Sequence, residues 1–316
     1  MGKRVQQNSK IDRATMMEAL DRSGYLMEQR IFPILERAKY VVDTNPVYLD
    51  SDTGKPREYD FSAGKAYELF ENAGGSLLIH IAGECKNNVQ PVVFFEHDPC
   101  LKSLFTRNLK CAGIPLYIPG NRGPESDVSL QMQFNFDLFH HYGRGTQSTQ
   151  YCTFTKKGNE RDWMASHPDE WHSSLTSLLV ATRQSVSKNL SDWRPPIGDA
   201  EAKVRIHLFY PLLILRDDIY VCSQSDSDVR LKKCDHIQYR RTVPYGGVED
   251  VYHIDVIKES YLSGYLELLD SEHCELARRM SEHKSTVVDA ARRIVRRAKE
   301  IGSTPGSGDY ARILRY

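Results

Sequence analysis

Glu84 and Lys86 close an apolar stretch, LLIHIAGECK over residues 77–86, and stand two residues apart. Side chains two apart on a β-strand share a face, so an acid and an amine project together at the strand's end while Cys85 points the other way. Asp60, at the end of the segment REYD, supplies a second acid. If its segment pairs with 77–86, Asp60 stands across from Glu84, and two carboxylates and a lysine meet at one sheet edge. Two carboxylates with a backbone carbonyl, that of Cys85, make an oxygen-rich site of the kind hard cations prefer. Mg²⁺ takes one or two protein carboxylates and keeps several waters. Water on such a cation is more acidic, a nearby lysine can orient it or help remove its proton, and the cation can polarise a phosphoryl oxygen. Hydrolysis of a phosphodiester needs these parts.

The elements that must position these groups follow from pattern. Residues 12–39 carry Met16, Leu20, Leu26, Met27, Ile31, Ile34 and Leu35 at spacings near three and four, which predicts helix. Ser23-Gly24 divides the run into a lead-in and a second helix, and Pro33 is expected to kink the second. Segments 41–48 and 57–63 read as the strands of a hairpin around turn residues 50–56. Residues 72–75 form a loop. The strand 77–86 is apolar on both faces until its end, as an interior strand covered by helices must be.

With Asp60, an intervening loop and Glu84-x-Lys86 at the end of an apolar strand, the chain resembles the PD-(D/E)XK nuclease superfamily. The resemblance implies an α/β, restriction-endonuclease-like core, a central mixed sheet flanked by helices, and the strand and helix patterns of the rest of the chain add a C-terminal β-rich and helical extension. Residues 12–118 would form the core, 119–260 a sheet-and-helix extension packed on it, 261–300 a long basic helix or helix pair, and 301–316 a flexible tail. It further implies that Asp60 and Glu84 bind Mg²⁺, with Mn²⁺ an alternative, and that Lys86 serves the attacking water. Glu28, in GYLMEQRIF, occupies the place where many members carry an acid on the preceding helix. Gln90, four residues after Lys86, is similar to a glutamine that some branches place beyond the catalytic strand. The likeness spans residues 23–118 and departs from the pattern in carrying Tyr59 where a proline often precedes the Asp. A metal-dependent endodeoxyribonuclease is the expected activity. DNA is the expected partner, RNA remains open, and so does a homodimer or a defence or repair complex. The competing class is a catalytically silent nucleic-acid-binding or scaffold protein of the same fold.

Other residues carry weaker signals. Glu58 lies two before Asp60 and would share its face, but Asp60 sits nearer the apolar end. The Cys85 thiol reads as a small core group, leaving only its carbonyl for a metal. His140-His141 and the glycine-containing run through Tyr151 read either as a surface loop presenting amides and Arg144 to phosphate or as a loop leading into a strand. His-His adjacency on a strand does not make a metal site, because neighbours face opposite ways. Arg292, Arg293, Arg296 and Arg297 repeat at i, i+1, i+4 and i+5 on the last helix, a stripe fitted either to duplex phosphates or to solvent.

Elsewhere, 92–96 is a short strand or bend, 99–113 suggests a short helix, and 128–141 is a strand or a helix. Residues 169–190 carry a helical stripe of Trp171, Leu175, Leu178 and Leu179. A linker-like stretch at 193–203 precedes the strongly β run 204–222, in which Asp217-Asp218 suits a hairpin turn. HIQYRRTV and DVYHIDVI read as strands.

Composition limits the classes. The 316 residues hold 42 Lys+Arg and 42 Asp+Glu, so bulk charge gives no reason for non-specific polyanion or membrane binding, and any such partner must be held by a local patch. Seven cysteines without a CxxC pair argue against a disulfide framework or a zinc ribbon. Free thiols and the lack of an apolar signal core lead us to expect a cytoplasmic protein that does not enter a membrane.

Overall fold

The computed structural model describes residues 10–50, 54–71, 74–97, 108–118, 127–156, 162–167, 169–191, 203–225, 228–245 and 248–300. Its first helical run divides at Gly24, whose φ of 93° lies in the left-handed region that glycine enters without a steric penalty. Before it, α1 (Arg13–Ser23) is capped by Asp12, whose carboxylate accepts from Thr15 N–H at 2.8 Å. After it, α2 (Tyr25–Arg37) carries Pro33 and buries Met27, Ile31 and Leu35. Strands β1 (Val41–Thr44), β2 (Val47–Leu49), β3 (Pro56–Glu58), β4 (Phe61–Phe70), β5 (Gly75–Lys86) and β6 (Val92–Glu96) follow. Next come β7 (Lys110–Ile114), β8 (Tyr117–Ile118), β9 (Val128–Ser129), α3 (Leu130–Gln133), α4 (His141–Arg144), β10 (Gln147–Lys156), β11 (Trp163–Ser166) and α5 (Asp169–Ser191). The chain continues with β12 (Val204–Leu215), β13 (Ile219–Ser225), β14 (Asp228–Cys234), β15 (His236–Tyr245), β16 (Val248–Lys258), α6 (Leu262–Glu282) and α7 (Lys284–Glu300).

These elements make an α/β protein with a large mixed sheet flanked by helices. Among the described residues twelve strands join one sheet in the order β1-β4-β5-β12-β16-β15-β10-β6-β13-β14, with β11 on β10 and β7 on β12. Alternation along the central strands sends side chains to two separate cores. Ile79 and Ile81 of β5 and Leu212 and Ile214 of β12 pack with Met27, Ile31 and Leu35 of α2 and Leu266 and Leu269 of α6. Ala82 of β5 and Leu213 and Leu215 of β12 face the other way, onto Leu175, Leu178 and Leu179 of α5.

Several expectations are corrected. The segment 41–48 is not one strand, because Asn45 turns to φ 51° and splits it. The first half pairs with β4 (Thr44 opposite Phe61) and the second with β3 (Val47 opposite Glu58). The second hairpin strand starts at Phe61 and runs on to Phe70. Asp217-Asp218 does not close a hairpin: β12 pairs in parallel with β5 and β16, whereas β13 leaves to pair with β6 and β14. Ten of the twelve residues of β12 are apolar, which suits an interior strand covered on both faces and needs neighbours from distant sequence. For the same reason the boundary drawn at residue 118 separates no sheets, since β12 matches β5 along its whole length from Val204 opposite Gly75 to Leu215 opposite Lys86.

Lys110–Ile114 is a strand rather than the end of a helix, and 98–107 lies outside the described residues. Residues 51–53 of the expected turn, 193–202 of the expected linker and the tail 301–316 also lie outside them. The undecided stretch 128–141 resolves into β9, α3, a 3-10 turn at Phe136–Leu138 and the start of α4. The terminal helical run is a pair, α6 and α7, and α6 buries its apolar stripe within this chain. Among the described residues no helix is long and apolar enough to cross a membrane.

Candidate active site at the end of β5

The corner between α1 and α2 is fastened to the end of β5. Asn87, one residue past Lys86, donates from Nδ2 to the Arg22 carbonyl at 2.9 Å, and Gly24 packs on the Asn87 side chain. Arg216, following β12, donates to Asn87 Oδ1 at 2.8 Å and to Asp21 Oδ2 at 2.9 Å. This clamp leaves Glu28, one turn into α2, at the sheet end.

The β4 side is set by Phe61 and Gly83. They are opposite each other in the ladder, and a Cβ on Gly83 would stand 2.0 Å from the Phe61 ring. Only glycine lets that ring lie across β5, where it is fully buried and meets Phe32 of α2 edge-on at 6.3 Å.

Asp60 precedes Phe61, and the Phe61–Gly83 register places it beside Glu84, as expected. Its Oδ2 accepts the Cys85 backbone N–H at 2.6 Å. The two backbone polar groups of a strand residue point the same way, so the Cys85 carbonyl also faces the Asp60 side. The Lys86 carbonyl faces β12 instead, where it accepts from Arg216 N–H at 3.1 Å. On the α5 face, Lys86 Nζ donates to Glu84 Oε1 at 3.1 Å, and Ser174 of α5 hydrogen-bonds the Glu84 carboxylate.

The electrostatics are those of a site short of positive charge. Burial pushes Glu84 above the usual carboxylate range, the Asp60 charge pushes it further, and Lys86 offsets this in part. Burial likewise raises Asp60 against the Cys85 amide and the Lys86 charge. Glu28 is pushed up to about 7 by burial and by the charges of Asp60 and Glu84. The Cys85 thiol is raised by burial and by the same acids, and its side chain packs on the core as expected for a structural cysteine. Three acids and one lysine leave a formal charge of −2, so the residues present fit a divalent cation.

No family model, curated protein or solved structure matches this chain. The site must therefore be judged on its own geometry.

Of the residues singled out in the sequence, Glu28, Asp60, Glu84, Cys85 and Lys86 come together. Gln90 lies in the bend before β6, where its carbonyl accepts from Asn88 Nδ2 at 2.8 Å. Glu58 is exposed on β3. Arg144 is exposed, and its guanidinium donates to the Phe139 carbonyl. Arg292, Arg293, Arg296 and Arg297 all lie on the exposed face of α7, opposite buried Val287, Ala291 and Val295.

The expected surface loop at 140–151 is corrected in its first part: His140 and His141 are buried, with rings stacked at 4.4 Å, because this segment enters a short helix under the sheet, while a strand does follow, with Gln147 to Tyr151 in β10. They join Tyr210, His236, Asp255, Tyr265, Glu272 and His273 in a polar cluster that sequence reasoning misses. A weak signal exists in DVYHIDVI, where His253 and Asp255 share the face opposite Tyr252 and Val256. Ser174 carries no sequence signal at all.

Proposed function

We propose that this chain is a Mg²⁺-dependent nuclease that hydrolyses phosphodiester bonds, with DNA as the substrate class and the end of β5 as its active site. The observation that supports this best is the convergence of Asp60, Glu84 and Lys86 with Glu28 around a carbonyl-bearing strand end, with the acids raised by burial and by one another. Asp60, Glu84 and the Cys85 carbonyl would hold Mg²⁺, with Mn²⁺ a substitute. When bound, the cation would supply a Lewis acid that makes water more acidic and offsets charge on the phosphoryl oxygens.

The chain's own groups do the rest. Lys86, held at Glu84, presents an ammonium that orients the attacking water and the scissile phosphate. Glu28, titrating at about 7, can accept the proton that water loses as its oxygen bonds to phosphorus and the ester oxygen departs. Gln90, in the bend before β6, would border the substrate path. The scaffold reading draws on the same contacts, since Asp60 also caps the Cys85 amide and Glu84 is paired with Lys86.

Cleavage of labelled single- and double-stranded DNA and RNA in Mg²⁺, Mn²⁺ or EDTA, by wild type, Asp60→Ala and Lys86→Ala, decides between them. The expected result is metal-dependent cutting of DNA that falls by about 10²–10⁴-fold in Lys86→Ala and disappears in Asp60→Ala. Binding without cutting in either metal, or cutting that survives both substitutions, overturns the nuclease reading. Cutting confined to RNA moves the substrate class and leaves the site in place.

A further inference from the structure

Across the sheet from Glu84, His141 is held between two acids. Its Nδ1 lies 2.7 Å from Glu272 Oε2, its backbone N–H donates to Glu272 Oε1 at 2.7 Å, and its Nε2 lies 3.1 Å from Asp255 Oδ1. His236 Nε2 reaches the same Asp255 oxygen at 2.9 Å. Two imidazole nitrogens thus converge on one carboxylate oxygen, and the three atoms lie within 4.8 Å of one another.

We propose that His141 Nε2, His236 Nε2 and Asp255 Oδ1 form a binding site for a divalent first-row transition metal of the Zn²⁺ and Fe²⁺ class, with Glu272 orienting His141. The donor set decides the class: two imidazoles and one carboxylate suit these ions, whereas Mg²⁺ and Ca²⁺ take oxygen. The surroundings decide the geometry. A ligating histidine gives its other ring N–H to a carboxylate, which fixes its tautomer and raises its basicity. Glu272 takes that role at Nδ1, and by accepting the His141 backbone N–H as well it fixes ring and backbone together.

The second oxygen of Asp255 is occupied by Tyr265 O–H at 2.8 Å and Tyr142 O–H at 3.3 Å, which turns Oδ1 toward the two imidazoles. Charge balance agrees. Asp255 is 0% and Glu272 3% exposed, so two negative charges are buried side by side. One divalent cation between neutral imidazoles neutralises them. His236, with 16% of its side chain exposed, marks the route in. A neighbouring set, His140 with His141 and Glu272, fits less well, since His140 Nε2 is engaged by Tyr210 O–H at 3.0 Å, which in turn meets His273 Nε2 at 2.8 Å.

The test uses the full chain carrying Asp60→Asn and Glu84→Gln, so that the acid site at β5 adds no signal. Zn²⁺ content is measured after growth with added zinc, and the visible bands of nitrogen-ligated Co²⁺ are followed on loading. The expected result is about one equivalent per chain, lost in both His236→Ala and His236→Gln while circular dichroism shows the fold retained. His236→Gln keeps a side chain that can still hydrogen-bond Asp255, so its loss of metal separates ligation from packing. Failure of the chain to take up stoichiometric Zn²⁺ or Co²⁺, or full retention in both His236 variants, overturns the proposal. Neither outcome bears on the nuclease reading.

Discussion

The end of β5 and the His141 cluster are built from the same residue types, buried acids beside cationic or ionisable partners; burial raises the acids in both, and only in the second do the partners reverse it. At β5, Glu28, Asp60 and Glu84 face a single lysine, and all three carboxyls are raised. Under α6, Asp255 is surrounded by His141, His236, Tyr142 and Tyr265, and it is held well below the usual carboxylate range despite total burial, because its partners outweigh desolvation. His141, between its two acids, is pushed up to about 10. At β5 one lysine faces three acids and does not offset burial, whereas around Asp255 the histidines and tyrosines do. Burying a charge is costly unless it is paired and hydrogen-bonded, and raised acids gathered at one strand end are an arrangement that active sites use, which supports the nuclease proposal.

The comparison breaks most sharply under one substitution made in both places. Glu272→Gln removes the charge that faces His141 and leaves the cluster mismatched, so a loss of about 3–5 kcal/mol in unfolding free energy is expected. Glu84→Gln, without divalent cations and at neutral pH, removes a charge that the fold disfavours and should leave stability unchanged or raised while abolishing cleavage. Denaturant titrations of both variants in EDTA measure this. The same sign of change in both would show that the acids at β5 are held for stability.

A second test concerns what aims the β5 site. Gly83→Ala places a methyl inside the Phe61 ring, and the strands or α2 must shift to admit it. Overpacking of this kind costs about 1–3 kcal/mol. Because Asp60 is the residue before Phe61, the displacement reaches the carboxylate, and an error near 1 Å in a reacting group can cost about 10²-fold in rate. A Gly83→Ala protein that loses stability but keeps full cleavage would show that Asp60 is positioned by its Cys85 hydrogen bond rather than by the Phe61 contact.

The two regions are unequally legible in the sequence, for a physical reason. The β5 site is assembled by neighbours in the chain, a helix, a hairpin and a strand within about sixty residues, so alternation along 77–86 and the position of Asp60 suffice to bring its groups together. The His141 cluster draws on α4, β15, β16 and α6, and pairing between such elements cannot be read from local periodicity. His140-His141 reads as a loop because the segment entering α4 has neither strand nor long-helix period. The same limit explains β12: its apolar run shows a strand, but not that β5 and β16 are its partners. In the first hairpin, register is lost where Asn45 leaves the extended region, which a single asparagine before proline does not announce.

The excess of acids at β5 also sets a pH dependence. Glu28 has an ordinary value of 4.5 and titrates in the fold at about 7, so between those values the folded state binds its proton more tightly than the unfolded chain does. The stability contributed by protonated Glu28 is full below about 4.5 and is lost as pH rises through 7. In EDTA, wild type should therefore lose stability across this window and Glu28→Gln should lose less. Urea midpoints at about pH 5 and about pH 8 give the comparison. Cation binding must also displace that proton, so wild-type Mg²⁺ affinity should fall below pH 7 more steeply than that of the variant. Parallel pH profiles would place Glu28 outside the charge field of the site.

The smallest expected effect separates the site from the surface that would deliver substrate to it. The arginines of α7 are exposed, and the helix is anchored by Val287, Ala290, Ala291, Val295 and Ala298 on its opposite side, so their charge can change with little effect on the fold. Arg293→Gln with Arg296→Gln should alter stability by less than about 0.5 kcal/mol. If the stripe contacts phosphates, each lost contact reduces the slope of log affinity against log salt by about 1, uniformly across DNA sequences. Binding to a short duplex at several salt concentrations reads that slope. A reduced slope with an unchanged cleavage rate at saturating DNA would assign α7 to capture and β5 to chemistry, whereas an unchanged slope would make the stripe a solvated face and require β5 to find its substrate through other residues.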